Sequence, residues 1–210
     1  MTLLTRKNIL SISKISAASI IIGFASVAHA DMFTNAGQTL STYTLDCSHW
    51  YAGANIGMSH MHDNPSPGTG DSVNENGPGW SVVGGYQLNS LLGGELGYTQ
   101  YYKTRETFGS TNIATTDHFA VHLAATGRYP LFNKFSAIGK LGVGYSYANK
   151  IFTASTAAGS AGSVSPYYGV GIGYSVTQKV DFIVQWARSQ GNDYTGSGDF
   201  FSAGFNFAIV

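Results

Sequence analysis

Few residues in this chain are suited to chemistry: six histidines, 11 acidic and 11 basic side chains and one cysteine in 210 residues. His60 and His62 share a strand face, and Asp63 follows. Two His and one Asp in a loop fix no third direction for a metal, so no metal site is assigned. A serine-type lipid hydrolase needs Ser and His within hydrogen-bond reach and an acid to orient the His. Ser48-His49 and Ser59-His60 are adjacent in sequence, so in a strand their side chains point to opposite faces. There is no G-x-S-x-G, no P-loop and no dinucleotide fingerprint. The chain is therefore read as a non-enzyme without a cofactor. Cys47, the single cysteine, excludes an internal disulfide framework. It is read as an unpaired thiol near a terminus, with pairing between molecules as the alternative.

The remaining polar candidates gain meaning from their neighbours. Glu95, Arg128, Lys140, His118, His122, Asp181 and Gln185 all fall on one face of segments that alternate with period two, the strand period. In 92–102, Leu92, Leu96, Tyr98 and Tyr102 oppose Gly93, Glu95, Gly97, Thr99 and Tyr101. In 117–129, Phe119, Val121, Leu123 and Tyr129 oppose His118, Ala120, His122, Thr126 and Arg128. In 135–148, Leu141, Val143, Tyr145 and Tyr147 oppose Ser136, Ile138, Lys140, Gly142 and Gly144. Residues 49–60, 79–87, 167–176, 180–187 and 201–209 repeat the pattern, giving eight segments. His118 and His122 are four residues apart, about 13 Å along a strand, too far to share a ligand. They are read as members of an inward polar plug.

Charged residues make up only 10% of the chain, against about 25% in an average soluble domain, and the net charge is zero. That balance excludes a disordered chain and a nucleic-acid binder. Arg6, Lys7 and Lys14, the apolar run Ile15–Val27 and Ala28-His29-Ala30 form the tripartite pattern of a cleaved secretory signal over residues 1–30. Residues 31–48 are then an N-terminal periplasmic segment. No later apolar run is long enough for a spanning helix.

The connections alternate in length. Leu88–Leu91, Pro130–Lys134 and Thr177–Lys179 read as tight turns. About 61–78, 103–116, 149–164 and 190–198 read as long loops rich in Gly, Ser, Thr, Asn and Pro. All long connections then lie at one end, as in an outer-membrane barrel. Strands in lipid cannot leave backbone groups unpaired, so the sheet must close. The expected fold over 49–210 is all-β: an eight-stranded antiparallel up-and-down transmembrane β-barrel with short periplasmic turns and four longer extracellular loops. Trp50, Trp80, Tyr102, Tyr129, Tyr147, Tyr168 and Trp186 suit its interfacial aromatic girdles.

Residues 49–63 resemble the first strand of the outer-membrane protein A (OmpA-like) family. So do Gly84–Asn89, Gly94–Tyr98, Tyr129-Pro130-Leu131, Ser165-Pro166 and Gly173–Thr177, across almost the whole of 49–210. The resemblance implies the eight-stranded barrel. Many members carry a peptidoglycan-binding domain after it; this chain stops at the eighth strand, so that role is not implied. The family's buried interior salt-bridge network keeps its acidic member at Glu95 and one basic member at Lys140. Other basic positions fall on Ile183 and Thr126, with Arg128 two residues further along, so the network is expected to be rewired. The usual terminal aromatic read by the barrel-assembly machinery is expected to be weakened or displaced to Phe207, the chain ending Ala208-Ile209-Val210.

The expected role is structural and surface-facing: envelope integrity, with loops that contact host, phage or neighbouring cells. A narrow, low-conductance channel gated by lumen charges is the second reading, and a lipid-modifying enzyme the third. A soluble lipocalin-type carrier is disfavoured, because Glu95, Lys140 and Arg128 point where a carrier wants apolar lining. Expected surroundings are outer-membrane lipid and lipopolysaccharide of a Gram-negative cell, reached through the general secretory pathway, with the protein a monomer.

Overall fold

The computed structural model describes residues 48–62, 72–153 and 158–209. The expected signal, Asp63, Val210 and the expected 31–48 segment except Ser48 lie outside them, and so does Cys47. The described chain forms strands β1 (His49–His62), β2 (Ser72–Asn74), β3 (Asn76–Gln87), β4 (Leu92–Gln100), β5 (Thr104–Phe108), β6 (Thr111–Phe132), β7 (Phe135–Phe152), β8 (Ala158–Ser175), β9 (Val180–Ser189) and β10 (Ser197–Ile209). Every pairing is antiparallel. The order β6-β4-β3-β1-β10-β9-β8-β7 returns to β6, closing an eight-stranded barrel. β2 and β5 pair with each other above β3 and β4, prolonging two staves.

Closure leaves no edge among the eight barrel strands, and the side-chain alternation decides which face meets which solvent. The large apolar side chains point outward: Ile56 is 75% exposed, Leu141 69% and Val170 61%. Such a face would be costly in water and suits hydrocarbon. The inward face carries the small and polar residues, among them the buried Asn55, Ser81, Glu95, His122, Lys140, Gln185 and Ser202. Glycine provides the room. The ring of Tyr51 occupies the place a Cβ on Gly85 would take, and His122 does the same at Gly97.

The tight connections fall at one end, as expected. Asn89 caps the first: its side chain accepts hydrogen bonds from Leu91 N at 2.9 Å and Leu92 N at 2.8 Å. The second is shorter than expected, because β6 runs through Leu131 to Phe132. The turn narrows to Asn133-Lys134, with Asn133 in the left-handed region at φ 48°.

Among the described residues, the expected loops at the other end are largely strand, which corrects the boundaries drawn from composition. β6 begins at Thr111, β7 runs to Phe152 and β8 starts at Ala158, with Ile151 opposite Ala158. The region 103–116 is a hairpin of β5 and β6 around Gly109-Ser110. Ser, Thr and Gly favour turns when taken by composition alone. Within a hairpin, however, each backbone group finds its partner across the ladder, and β-branched Thr111, Thr115 and Thr116 suit a pleat. Only 190–196 of the described long connections lacks strand.

A lumen of paired charges in an OmpA-like barrel

Glu95 sits on β4 between Gly93 and Gly97, whose missing side chains leave space around its carboxylate. It is 2% exposed. Three neighbours reach it from three other strands. Lys140 of β7 donates from Nζ to Oε1 at 2.6 Å, Tyr51 of β1 donates from its hydroxyl to Oε2 at 3.1 Å, and His122 Nε2 of β6 lies 3.2 Å from Oε1. Taking a carboxylate out of water costs several kcal/mol, which only pairing and further hydrogen bonds offset. Here a lysine, a phenol and an imidazole share that task. The face of His122 stacks on Tyr167 of β8, centroids 3.9 Å apart and planes 6° from parallel. The ring that holds Glu95 is itself held in place.

The charged partner of Glu95 is Lys140. Arg128 makes a second, separate pair nearer the turn end, donating from NH1 to Asp181 of β9. Its Nε donates to Ser136 Oγ at 2.9 Å. The two pairs and Tyr51 line a cavity of about 80 Å³ at the turn end, with Gln87, Gln178 and Lys179 at its mouth.

The other expected lumen residues divide. Gln185 faces the lumen and is buried, its Oε1 accepting no hydrogen bond among the described residues. His118 is buried further toward the long-connection end, its Nε2 3.2 Å from Thr104 Oγ1. It does not join the Glu95 network, because it lies four residues along β6 from His122.

Of the aromatic residues, Trp80 meets Tyr98, Tyr98 stacks on Phe119, and Phe119 stacks on Tyr147, centroids 5.0–5.6 Å apart, a continuous band over β3, β4, β6 and β7. Tyr168 and Trp186 form an edge-on pair at 5.8 Å. Trp50 packs on Tyr86 toward the turn end, where Tyr129 is also exposed. Tyr102 is the exception and corrects the expected band. It falls in the break between β4 and β5, its backbone N–H donates to Ser59 Oγ at 2.8 Å, and its ring fills the space over Gly77. A strand that breaks loses its alternation, so Tyr102 turns to the rim instead of the lipid.

His60 and His62 face outward from β1 near the long-connection end, rings 4.4 Å apart. Each leans toward an acid: His60 Nε2 to Glu75 at 4.0 Å and His62 Nδ1 to Asp199 at 3.7 Å. Among the described residues no three His, Cys, Asp or Glu side chains converge on one metal position.

Met61, Tyr101, Ala120 and Phe200 cluster inside the barrel toward the long-connection end. The alternation places Tyr101 and Ala120 inward, but sequence reasoning missed Met61 and Phe200. Extending the alternation two residues past each expected segment would have found Met61, in phase with Ser59, and Phe200, in phase with Ser202.

A family model described as the OmpA-like transmembrane domain matches residues 46–205. Outer membrane protein A of Salmonella typhi is 30% identical over 189 residues, covering 86% of this chain and 49% of the relative. The Serratia marcescens protein is 31% identical over 175 residues, covering 78% of this chain and 45% of the relative. The chain thus spans about half the length of the curated relatives it matches. Among solved structures, Neisserial surface protein A superposes with a TM-score of 0.55 at 14% identity, covering 76% of this chain and 97% of that one. OprG from Pseudomonas aeruginosa gives 0.50 at 14% identity, covering 78% and 98%. At that identity these two neighbours speak to the fold alone, and the fold they share is an outer-membrane barrel. From the family match, the closed eight-strand sheet and its outward apolar face, the chain belongs to the OmpA-like transmembrane domain family of the Gram-negative outer membrane.

Proposed function

We propose that this barrel works as a closed, non-enzymatic element of the outer membrane. It stabilises the envelope and holds its long-connection end toward the outside, where host, phage or neighbouring-cell surfaces meet it. The observation that carries this reading is the lumen. Eight strands enclose an interior that side chains just fill, and here Glu95, Lys140, Tyr51, His122 and Tyr167 interlock across it. Residues 1–30 act as an export signal for the secretory pathway and 31–48 remain periplasmic. The barrel-assembly machinery inserts the chain, and outer-leaflet lipopolysaccharide surrounds it as a monomer.

The test is a deletion strain. Loss of the protein should raise sensitivity to detergent with chelator, and re-expression should restore resistance. Unchanged sensitivity, together with unchanged adhesion, would overturn the reading. A narrow pore is the second reading, favoured by the cavity of about 80 Å³ that opens at the turn end. Planar-bilayer recording of the refolded protein separates the two. Mass spectrometry of lipid A with and without the protein tests the third reading, a lipid-modifying activity.

A further inference from the structure

The lumen is not uniform along its axis. At the turn end lies the cavity lined by the Glu95–Lys140 and Arg128–Asp181 pairs. Midway are Asn55, Gln185 and Ser202, each at least nine-tenths buried. Asn55 Oδ1, Gln185 Oε1 and Ser202 Oγ make no hydrogen bond among the described residues. β10 and β9 bring Ser202 opposite Gln185, and Gly57 of β1, two residues past Asn55, faces Ser202. Three buried polar groups gathered in one belt call for internal water, which typically makes 2–4 hydrogen bonds to such groups. The cavity beneath them opens toward the turn end.

Two residues beyond Ser202 on β10 the character changes. Phe200 points inward and is 2% exposed, as is Met61, six residues beyond Asn55 on β1. Tyr101 meets Phe200 edge-on at 6.4 Å. The cluster reaches from β10 to Ala120 of β6: a Cβ on Gly198 would stand 2.7 Å from Tyr101 Cζ and 3.1 Å from Met61 Sδ, and one on Gly79 3.1 Å from Phe200 Cε2. Side chains from β1, β10 and the β4–β5 break thus lie against glycines of β3 and β10. The cluster presents no charge. A narrow apolar constriction excludes water and therefore ions, whatever polar groups lie beneath it.

We propose that the permeability barrier of this barrel is the apolar cluster Met61–Tyr101–Phe200. It seals the lumen against water and small hydrated ions, and the buried Glu95 network borders the cavity beneath it. The seal deepens the closed-barrel reading and rests on it. The charged pairs then border the cavity without setting the barrier, and a variant that makes the cap smaller and more polar opens a path.

The full chain, refolded into a planar bilayer with potassium chloride on both sides, provides the test. Phe200→Leu keeps an apolar cap and should conduct no more than wild type. Phe200→Asn and Tyr101→Ser should each raise conductance about tenfold or more, as expected when an apolar constriction is hydrated. Met61→Thr is a milder third variant, and the gel shift between unheated and boiled samples reports which variants have closed. Folded Asn and Ser variants that conduct no more than wild type would overturn the seal. So would Glu95→Ala opening the barrel as far as they do. A wild-type protein already conducting at the variants' level would instead overturn the closed-barrel reading itself.

Discussion

Glu95 is held by three side chains of different chemistry, and they are not equivalent. Lys140 supplies the charge; Tyr51 and His122 supply hydrogen bonds and shape. Removing one member of a buried ion pair leaves the other uncompensated, a loss of roughly 3–5 kcal/mol. Lys140→Met should therefore destabilise the barrel by about that amount in urea unfolding from lipid vesicles. Glu95→Gln added to Lys140→Met should recover most of the loss, because a neutral pair leaves no stranded charge. If the double variant is no more stable than Lys140→Met, the pair is not the source of the effect. The Glu95–Lys140 pair was legible in the sequence because both residues lie on the inward phase among glycines. That Arg128 would choose Asp181 was not, because the choice depends on how far adjacent strands are staggered, and alternation carries no information about stagger. Phe200 hid for a different reason: beside Phe201 it reads as half of an apolar doublet, and only a fixed phase separates the two.

At the scale of the element, one strand crosses several environments. On β7, Val143 and Ile151 share the outward face and are similarly exposed, 52% and 55%. They differ in depth, with Tyr147 of the aromatic band between them. An arginine on the lipid face costs about 2–4 kcal/mol at the midplane and about 0–1 near the interface. Val143→Arg should thus lower unfolding stability in vesicles far more than Ile151→Arg. Equal losses would mean that β7 does not leave the membrane where Tyr147 places the boundary. Strand phase was readable throughout the sequence, since eight segments and their faces follow from period two. Strand length was not. Thr, Ser and Gly in 103–116 and 149–164 read as loop formers, and only the pairing of β6 with β7 and of β7 with β8 shows their backbones engaged.

For the whole molecule, closure fixes orientation: the tight turns and the start of β1 lie at one end, the β5–β6 and β7–β8 extensions at the other. In a Cys47→Ser background, Ser110→Cys should react with a membrane-impermeant maleimide on intact cells. Gln178→Cys should react only after the outer membrane is permeabilised. The reverse pattern would invert the proposed placement. The mature chain should also keep its β-structure in detergent and migrate differently on a gel before and after boiling, because a closed ladder opens only as a whole. The family was legible from short runs spread over every strand, since those runs encode the alternation and turns that closure demands. Which surface the outer end meets was not legible, because recognition there depends on side chains that the fold leaves free to vary.

The overshoot of β6 beyond the aromatic band has a mechanical meaning. From Phe119 to Thr111 the strand continues for eight residues, roughly 26 Å of ladder at the rise of an extended chain. It is braced by β5 on one side and β7 on the other. Glu106 and Lys150, 2.6 Å apart, tie the two flanks together. The tip at Gly109-Ser110 is thus carried on a stiff mast instead of a tether. A partner gripping it would forfeit little conformational freedom on docking. The tip could also be rewritten residue by residue without disturbing the register below, which separates what the tip presents from how the chain folds.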